Sequence, residues 1–169
     1  PRRKVLVERI NKIREWVETC PYNTIERNTP EGSNKRIGII CAGAVYQHVK
    51  EACPDADIFK LGVSWPLPAK ALNEFANSVD ELHVVEEAST YLSDAVKATG
   101  VILDSFQMPL PADGEIHPAD ILRSLGRKLP QHRDNENDIP NRPPALCPGC
   151  PHRVIFKELS RLKAIVTGD

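Results

Sequence analysis

The 169-residue chain has no excess of charge of either sign, with 22 Lys and Arg against 23 Asp and Glu. It therefore has no basic field to neutralise a run of phosphates or to draw it to an anionic bilayer, and neither nucleic acid nor membrane is an expected partner. Long apolar runs are missing as well. No stretch approaches the roughly 20 residues of a membrane span, and Pro1-Arg-Arg-Lys4 leads into an amphipathic segment, not the continuous apolar core of a signal peptide. A cytoplasmic location is expected. Cysteines are few and odd in number (Cys20, Cys41, Cys53, Cys147, Cys150), which in that compartment argues for reduced thiols or metal ligands and against a disulfide framework. There is no Gly-x-Gly-x-x-Gly fingerprint and no Ser/His/Asp arrangement with a workable spacing. His48, His83, His117 and His132 show no pairing pattern, so no catalytic residue is assigned.

What the chain does contain is a succession of short periodic segments. Leu6, Ile10, Ile13 and Val17 recur at steps of four, three and four, which predicts an amphipathic N-terminal helix, with Glu8 and Lys12 as an i,i+4 pair on another face. Proline, Asn and Gly without periodicity follow from Cys20-Pro-Tyr-Asn-Thr to Thr29-Pro-Glu-Gly32 and read as a connecting loop, so residues 1–34 stand before the main fold. Strand signals come next at Arg36-Ile-Gly-Ile-Ile-Cys41, Asp57-Ile-Phe-Lys-Leu61, Glu81-Leu-His-Val-Val85 and Val101-Ile-Leu103, with helical patterns over 44–52, 69–79 and 90–98 between them. Strands about twenty residues apart with a helix in each interval need crossover connections, which predicts a three-layer α/β/α fold on a mainly parallel sheet.

Pro109-Leu-Pro-Ala-Asp-Gly114 is a turn-rich exit, and His117-Pro-Ala-Asp opens another helix whose apolar face is Ile121, Leu122, Leu125 and Leu129. An α/β domain over 35–130 follows. The polar, proline-containing stretch 131–146 reads as a linker. Residues 147–169 begin something new: Ile155, Leu159 and Leu162 line a helix, and Ala164-Ile-Val-Thr167 starts a strand with no partner left, as expected of the truncated start of a second domain.

The chemistry-bearing motif is Arg142-Pro-Pro-Ala-Leu-Cys147-Pro-Gly-Cys150-Pro-His152-Arg153. Two thiols one turn apart can hold a soft metal or cluster, and a helix opening at Pro151 would favour a thiolate at Cys150. With no second Cys-x-x-Cys in the chain, this is half of a four-ligand cage. A ligand pair for a cluster or zinc and a structural turn with packed cysteines both remain open. A thioredoxin-like pair is disfavoured, because Asn141-Arg-Pro-Pro144 cannot supply the preceding strand. His152 could coordinate, or face a cofactor or solvent. Cys41 and Cys53 read as buried free thiols, and Gly43 as a residue kept small by close packing of a helical turn on the sheet. Glu86-Glu87 falls at the carboxyl edge of the sheet, where ligands of open α/β folds bind, although two acids there also suit the positive end of a helix.

The order of these pieces resembles the α subunits of indolepyruvate ferredoxin oxidoreductases, which belong to the thiamine-diphosphate-dependent 2-oxoacid:ferredoxin oxidoreductases. The resemblance rests on Gly38-Ile-Ile-Cys-Ala-Gly43-Ala-Val-Tyr46, Leu61-Gly62 with Pro66-Leu-Pro68, Val84-Val-Glu-Glu87 and, most specifically, the segment from Arg142 to Arg153. It implies that residues of about 35 to 110 are similar to a transketolase C-terminal-like domain, and that 147–169 open a diphosphate-binding domain. It further implies that Cys147 and Cys150 are iron–sulfur ligands and that His152 lies in the cofactor neighbourhood.

The implied activity is oxidative decarboxylation of an aryl 2-oxo acid to an acyl-CoA. Thiamine diphosphate, Mg2+, an iron–sulfur cluster and coenzyme A are the implied cofactors and co-substrate, and a β subunit and ferredoxin the implied partners. The family's metal–diphosphate motif, thiamine-activating glutamate and ferredoxin-like cysteines have no counterpart in these 169 residues, so the isolated chain is expected to be a scaffold without turnover. Two alternatives stand beside this: a non-catalytic α/β interaction module with a zinc-binding or redox Cys-x-x-Cys tail, and a pyruvate- or 2-oxoglutarate-type enzyme of the same superfamily.

Overall fold

Amphipathic and apolar runs become helices and strands in the order helix α1 (Arg2–Val17), strands β1 (Thr24–Glu26) and β2 (Ile37–Ala42), helix α2 (Val45–Ala52), strand β3 (Asp57–Leu61), helix α3 (Ala69–Ala76), strand β4 (Glu81–Val85), and helices α4 (Tyr91–Lys97), α5 (Pro118–Ser124) and α6 (His152–Arg161). The computed structural model describes residues 2–130, 145–163 and 165. It divides into two units, Pro1–Pro130 and Gln131–Asp169. Residues 131–144 of the linker expected over 131–146, and most of the strand expected at Ala164-Ile-Val-Thr167, lie outside the described residues.

The sheet of the first unit runs β1-β3-β2-β4. Parallel pairing sets β2 beside β3 (Ile39 opposite Ile58, Cys41 opposite Lys60) and beside β4 (Ile39 opposite His83, Cys41 opposite Val85). A sheet with apolar side chains on both faces must be covered on both, and two separate cores do this. On one side Ile39, Cys41, Ile58 and Val85 pack with Val45 and Val49 of α2 and Ile121 of α5. On the other, Ile40, Phe59, Leu82 and Val84 pack with Leu72 and Phe75 of α3 and Leu92 and Val96 of α4. Phe59 and Phe75 meet edge to face at 5.4 Å, and each fully buried aromatic of this kind stabilises the fold by about 1.5–3 kcal/mol. The mainly parallel, three-layer α/β/α arrangement expected from the sequence is thus present.

Two details differ from that expectation. The supposed connecting loop after α1 contributes β1, which joins the sheet antiparallel to β3 with Ile25 opposite Phe59. Three residues are too few to show a period of two, and β1 is specified instead by groups on either side of it. Ahead of it, Asn23 accepts the backbone N–H groups of Gly62 and Val63 through Oδ1, both at 3.0 Å. Behind it, the buried Asp57 carboxylate accepts Arg27 Nη1 at 2.9 Å and the backbone N–H groups of Asn28 (2.9 Å) and Thr29 (3.0 Å). The strand expected at Val101-Ile-Leu103 does not form. That segment is fastened to β4 by one exchange, in which Asp104 N–H donates to Leu82 O and Leu82 N–H to Asp104 Oδ2, each at 2.8 Å. The Asp104 side chain takes the place of a ladder, and Ile102 is left in solvent.

Among the described residues no helix is long and apolar enough to cross a membrane.

Burial pushes the Asp57 carboxyl up, but the Thr29 backbone N–H, the Arg27 guanidinium and the Asn28 backbone N–H outweigh it and leave the group below the ordinary carboxylate range. Its contribution to stability is therefore complete above the pKa of an unfolded Asp, about 3.9, and is lost as pH falls through the lower folded value. Asp57→Ala is expected to lower unfolding free energy by about 3 kcal/mol at neutral pH, with the gap to the parent closing below about pH 3. Urea titrations of both proteins between neutral and acid pH measure this, and a pH-independent difference would contradict it.

Candidate functional site

The second unit carries the cysteine motif. Its turn closes through Cys150 N–H donating to Cys147 O at 3.1 Å, with Gly149 in the left-handed region at φ +80°, a conformation that favours glycine. No atom lies within 4 Å of the position a Cβ would take on Gly149, so the turn faces open space. Cys147 is exposed and Cys150 half-buried. Helix α6 begins one residue later than the proline position suggested: Pro151 caps it, its φ of −63° and ψ of −28° already being helical, and Cys150 O accepts from Arg153 N–H at 3.2 Å. Cys150 therefore precedes the cap. Its Sγ lies 3.4 Å from His152 Nδ1, so the structure brings the thiol and the imidazole of the motif together.

Among the described residues no three His, Cys, Asp or Glu side chains gather as a complete metal site would require. The donor chemistry nevertheless fits half of one. Two sulfur donors on an open turn match two positions of a tetrahedral zinc or of an iron–sulfur cluster, provided the remaining ligands come from outside the described residues. The helix behind the turn is amphipathic but buries none of its residues, and it presents Val154, Ile155 and Phe156 to solvent.

The other cysteines have a different character. Cys20, Cys41 and Cys53 are all buried. Burial, reinforced by the charge of Glu26, pushes the Cys41 thiol up to about 12, and burial pushes Cys53 up to about 11. Neither is a thiolate at neutral pH.

At the carboxyl edge of the sheet the two glutamates turn out to be fasteners. Glu86 caps α4, accepting Leu92 N–H at 2.6 Å through Oε2, and Ser93 N–H (2.9 Å) and Ser93 Oγ–H (2.5 Å) through Oε1. Glu87 accepts Ile116 N–H at 3.2 Å, reaching the segment that enters α5. The chain reverses between them and α4 at Ala88, which sits at φ 64°. A cleft of about 220 Å3 opens here, lined by Val84, Ser93, Phe106 and Leu110 and by Glu86, whose oxygens are already engaged. For Glu86 the positive helix end that the sequence offered as the plainer account is the one realised, whereas Glu87 fastens a loop. Gly43 has another cause than the expected close packing: its added Cβ would meet nothing within 4 Å, but its φ of +68° calls for glycine.

The structure also forms histidine contacts that spacing could not reveal. His83 is buried, stacks on Phe106 at 4.8 Å and shares a 2.9 Å contact between Nε2 and Glu81 Oε1. His48 and His117 stack at 6.3 Å. These residues are 23 and 69 positions from their aromatic partners, so only the tertiary fold joins them. His132 lies outside the described residues.

Six curated proteins match the chain, all of them named indolepyruvate oxidoreductase subunit IorA. The protein from Thermococcus kodakarensis is 29% identical over 197 aligned residues, covering 98% of this chain and 29% of that protein. Those from Methanothermobacter marburgensis and Pyrococcus horikoshii are each 30% identical, covering 94% and 92% of this chain but 28% and 27% of their own lengths. The chain thus spans a little over a quarter of the length of these relatives, and the resemblance first drawn from its motifs is borne out along nearly its whole length. No protein-family model and no solved structure matches it.

The exposure difference among the thiols has a direct readout. In metal-free native protein a disulfide reagent such as dithionitrobenzoate is expected to modify Cys147 and Cys150 within minutes, whereas Cys20, Cys41 and Cys53 react only on unfolding. Mass mapping of the labelled cysteines checks it, and rapid native labelling of Cys41 or Cys53 would be the contrary result.

Proposed function

We propose that this chain is a segment of the α subunit of a thiamine-diphosphate-dependent indolepyruvate:ferredoxin oxidoreductase. The observation that carries the reading is the alignment of 92–98% of the chain with proteins named indolepyruvate oxidoreductase subunit IorA. The open Cys147–Cys150 turn adds to it, because paired thiols outside a core, one exposed and one half-buried, make poor packing elements and good ligands. In this reading residues 35–130 are the transketolase C-terminal-like domain, and residues 1–34 precede it and add β1 to its sheet. Residues 131–146 connect it to 147–169, the opening of the thiamine-diphosphate-binding domain. The reaction is conversion of an aryl 2-oxo acid and coenzyme A to acyl-CoA and carbon dioxide, with two electrons passed singly to ferredoxin. The protein works in the cytoplasm with a β subunit.

When bound, thiamine diphosphate with Mg2+ supplies the carbanion chemistry of decarboxylation, and an iron–sulfur cluster the one-electron steps. The contribution of this chain is more limited. Cys147 and Cys150 would hold two positions of the cluster, and the open space at Gly149 leaves room for it. His152, with Nδ1 3.4 Å from the Cys150 sulfur, would stand in the cofactor neighbourhood. The glutamates at the sheet edge are engaged with backbone N–H groups and serve as fasteners. The chain alone therefore acts as scaffold and ligand donor, without turnover.

Anaerobic expression of the longer subunit together with its β partner is expected to yield iron and acid-labile sulfide. Cys147→Ser and Cys150→Ser should each lower cluster content and reduce ferredoxin reduction by about 100-fold or more, the scale of losing a ligand where its supporting groups alone carry 10- to 100-fold. The 169-residue chain by itself should release no carbon dioxide from indolepyruvate, coenzyme A and ferredoxin. Turnover by this chain alone would overturn the scaffold assignment. Stoichiometric zinc without sulfide would favour the rival reading, a non-catalytic module with a zinc-binding tail.

A further inference from the structure

Helix α1 is anchored to the first unit only at its C-terminal end. Val17 is fully buried, its carbonyl accepts Asn23 Nδ2–H at 3.2 Å, and the neighbouring Glu18 carboxylate accepts the Lys70 and Ala71 N–H groups at the start of α3. Upstream of that anchor the apolar stripe is largely open: Leu6 is 57% exposed and Ile13 41%, with Ile10 between them half-buried. Steps of four, three and four are the spacing of heptad positions d, a, d and a, occupied here by Leu6, Ile10, Ile13 and Val17. The charges follow the same register. Arg2 and Arg9 fall at g and Arg14 at e, the positions that flank a two-helix seam, with Val7 at the other e and Arg3 at the first a, whereas Glu8 and Glu15 both fall at f, farthest from it.

We propose that α1 is one half of a two-helix seam whose other half is an amphipathic helix of a partner protein, apolar at a and d and carrying carboxylates at e and g. Charge complementarity selects this occupant. A second copy of the chain would bring arginines against arginines along both edges, and like charges there are unfavourable. Val5 at c and Val7 at e are exposed as well, and the comparison with vesicles separates a bilayer from a partner helix. Trp16, at g and 47% exposed, stands at the anchored end beside Val17 and extends the apolar contact toward the domain. At 16 residues, or about 24 Å, the helix offers little more than two heptads, which suits a salt-sensitive, exchangeable contact.

The test uses the whole chain and two synthetic peptides of about three heptads, both with Leu at a and d, one with Glu and the other with Lys at e and g. Fluorescence anisotropy of the labelled peptides is expected to show binding of the Glu peptide at least about tenfold tighter than of the Lys peptide, with the preference shrinking in 0.5 M salt. Arg9→Glu combined with Arg14→Glu should reverse the preference, and Leu6→Asp with Ile13→Asp should abolish binding of both peptides. Because these side chains are exposed, unchanged circular dichroism and melting confirm that each variant is folded. Equal binding of the two peptides, or of neither, overturns the proposal. So does concentration-dependent self-association lost in the Leu6→Asp variant, or tighter binding to phosphatidylserine vesicles than to the Glu peptide.

Discussion

The buried carboxylate of Asp57 is the interaction on which the organisation of the first unit turns. It sits at the first position of β3 with 1% of its surface exposed, and it is satisfied by groups drawn entirely from the segment after β1. A charge removed from water to this degree persists only when every lone pair facing the interior has a donor. The requirement runs in both directions. The carboxylate holds residues 27–29 in place, and residues 27–29 make its burial tolerable. Held there, β1 covers the edge of β3 that a purely parallel three-stranded sheet would leave open, and the Tyr46 hydroxyl and the Lys50 ammonium, 3.1 Å from Glu26, then fasten that strand to α2.

The same device recurs through the unit. Glu18 receives the first N–H groups of α3, Glu86 those of α4, Glu87 the N–H of Ile116, Asp80 that of Arg36 and Asp104 that of Leu82. Each joins a helix start or a loop to its neighbour by replacing water on an unpaired donor, which is a net gain of order 1–3 kcal/mol for a charged acceptor. Acids used in this way give at least one oxygen to a backbone donor. This accounts for carboxylates that gather where one segment of the unit meets the next.

Two features are not absorbed into the cores and carry the functional argument. The Cys147–Cys150 turn keeps its sulfur atoms accessible, in contrast to Cys41 and Cys53, whose burial removes them from thiolate chemistry. Helix α1 keeps its apolar stripe accessible along most of its length while its arginines line that stripe on both sides. Exposure of apolar or nucleophilic groups costs solubility or invites side reactions, and both are arrangements that a ligand or partner would complete.

Much of this was legible in the chain itself. The apolar runs at β2, β3 and β4 and the 3.6-residue periodicity between them sufficed for a parallel three-layer fold, because burial on both faces leaves a continuous apolar signal. The Cys-Pro-Gly-Cys-Pro-His motif was equally visible, since its chemistry depends on neighbours in sequence. What the tertiary structure alone decided are the features built from residues distant along the chain. The strand at Thr24–Glu26 exists because Asp57 lies 28 and 29 residues from the N–H groups it accepts, and Val101-Ile-Leu103 stays out of the sheet because the Asp104 side chain, 22 residues from Leu82, takes the ladder position. Local patterns record which faces must be buried, but a carboxylate or an imidazole carries no mark of its partner until the fold brings the two within hydrogen-bonding distance.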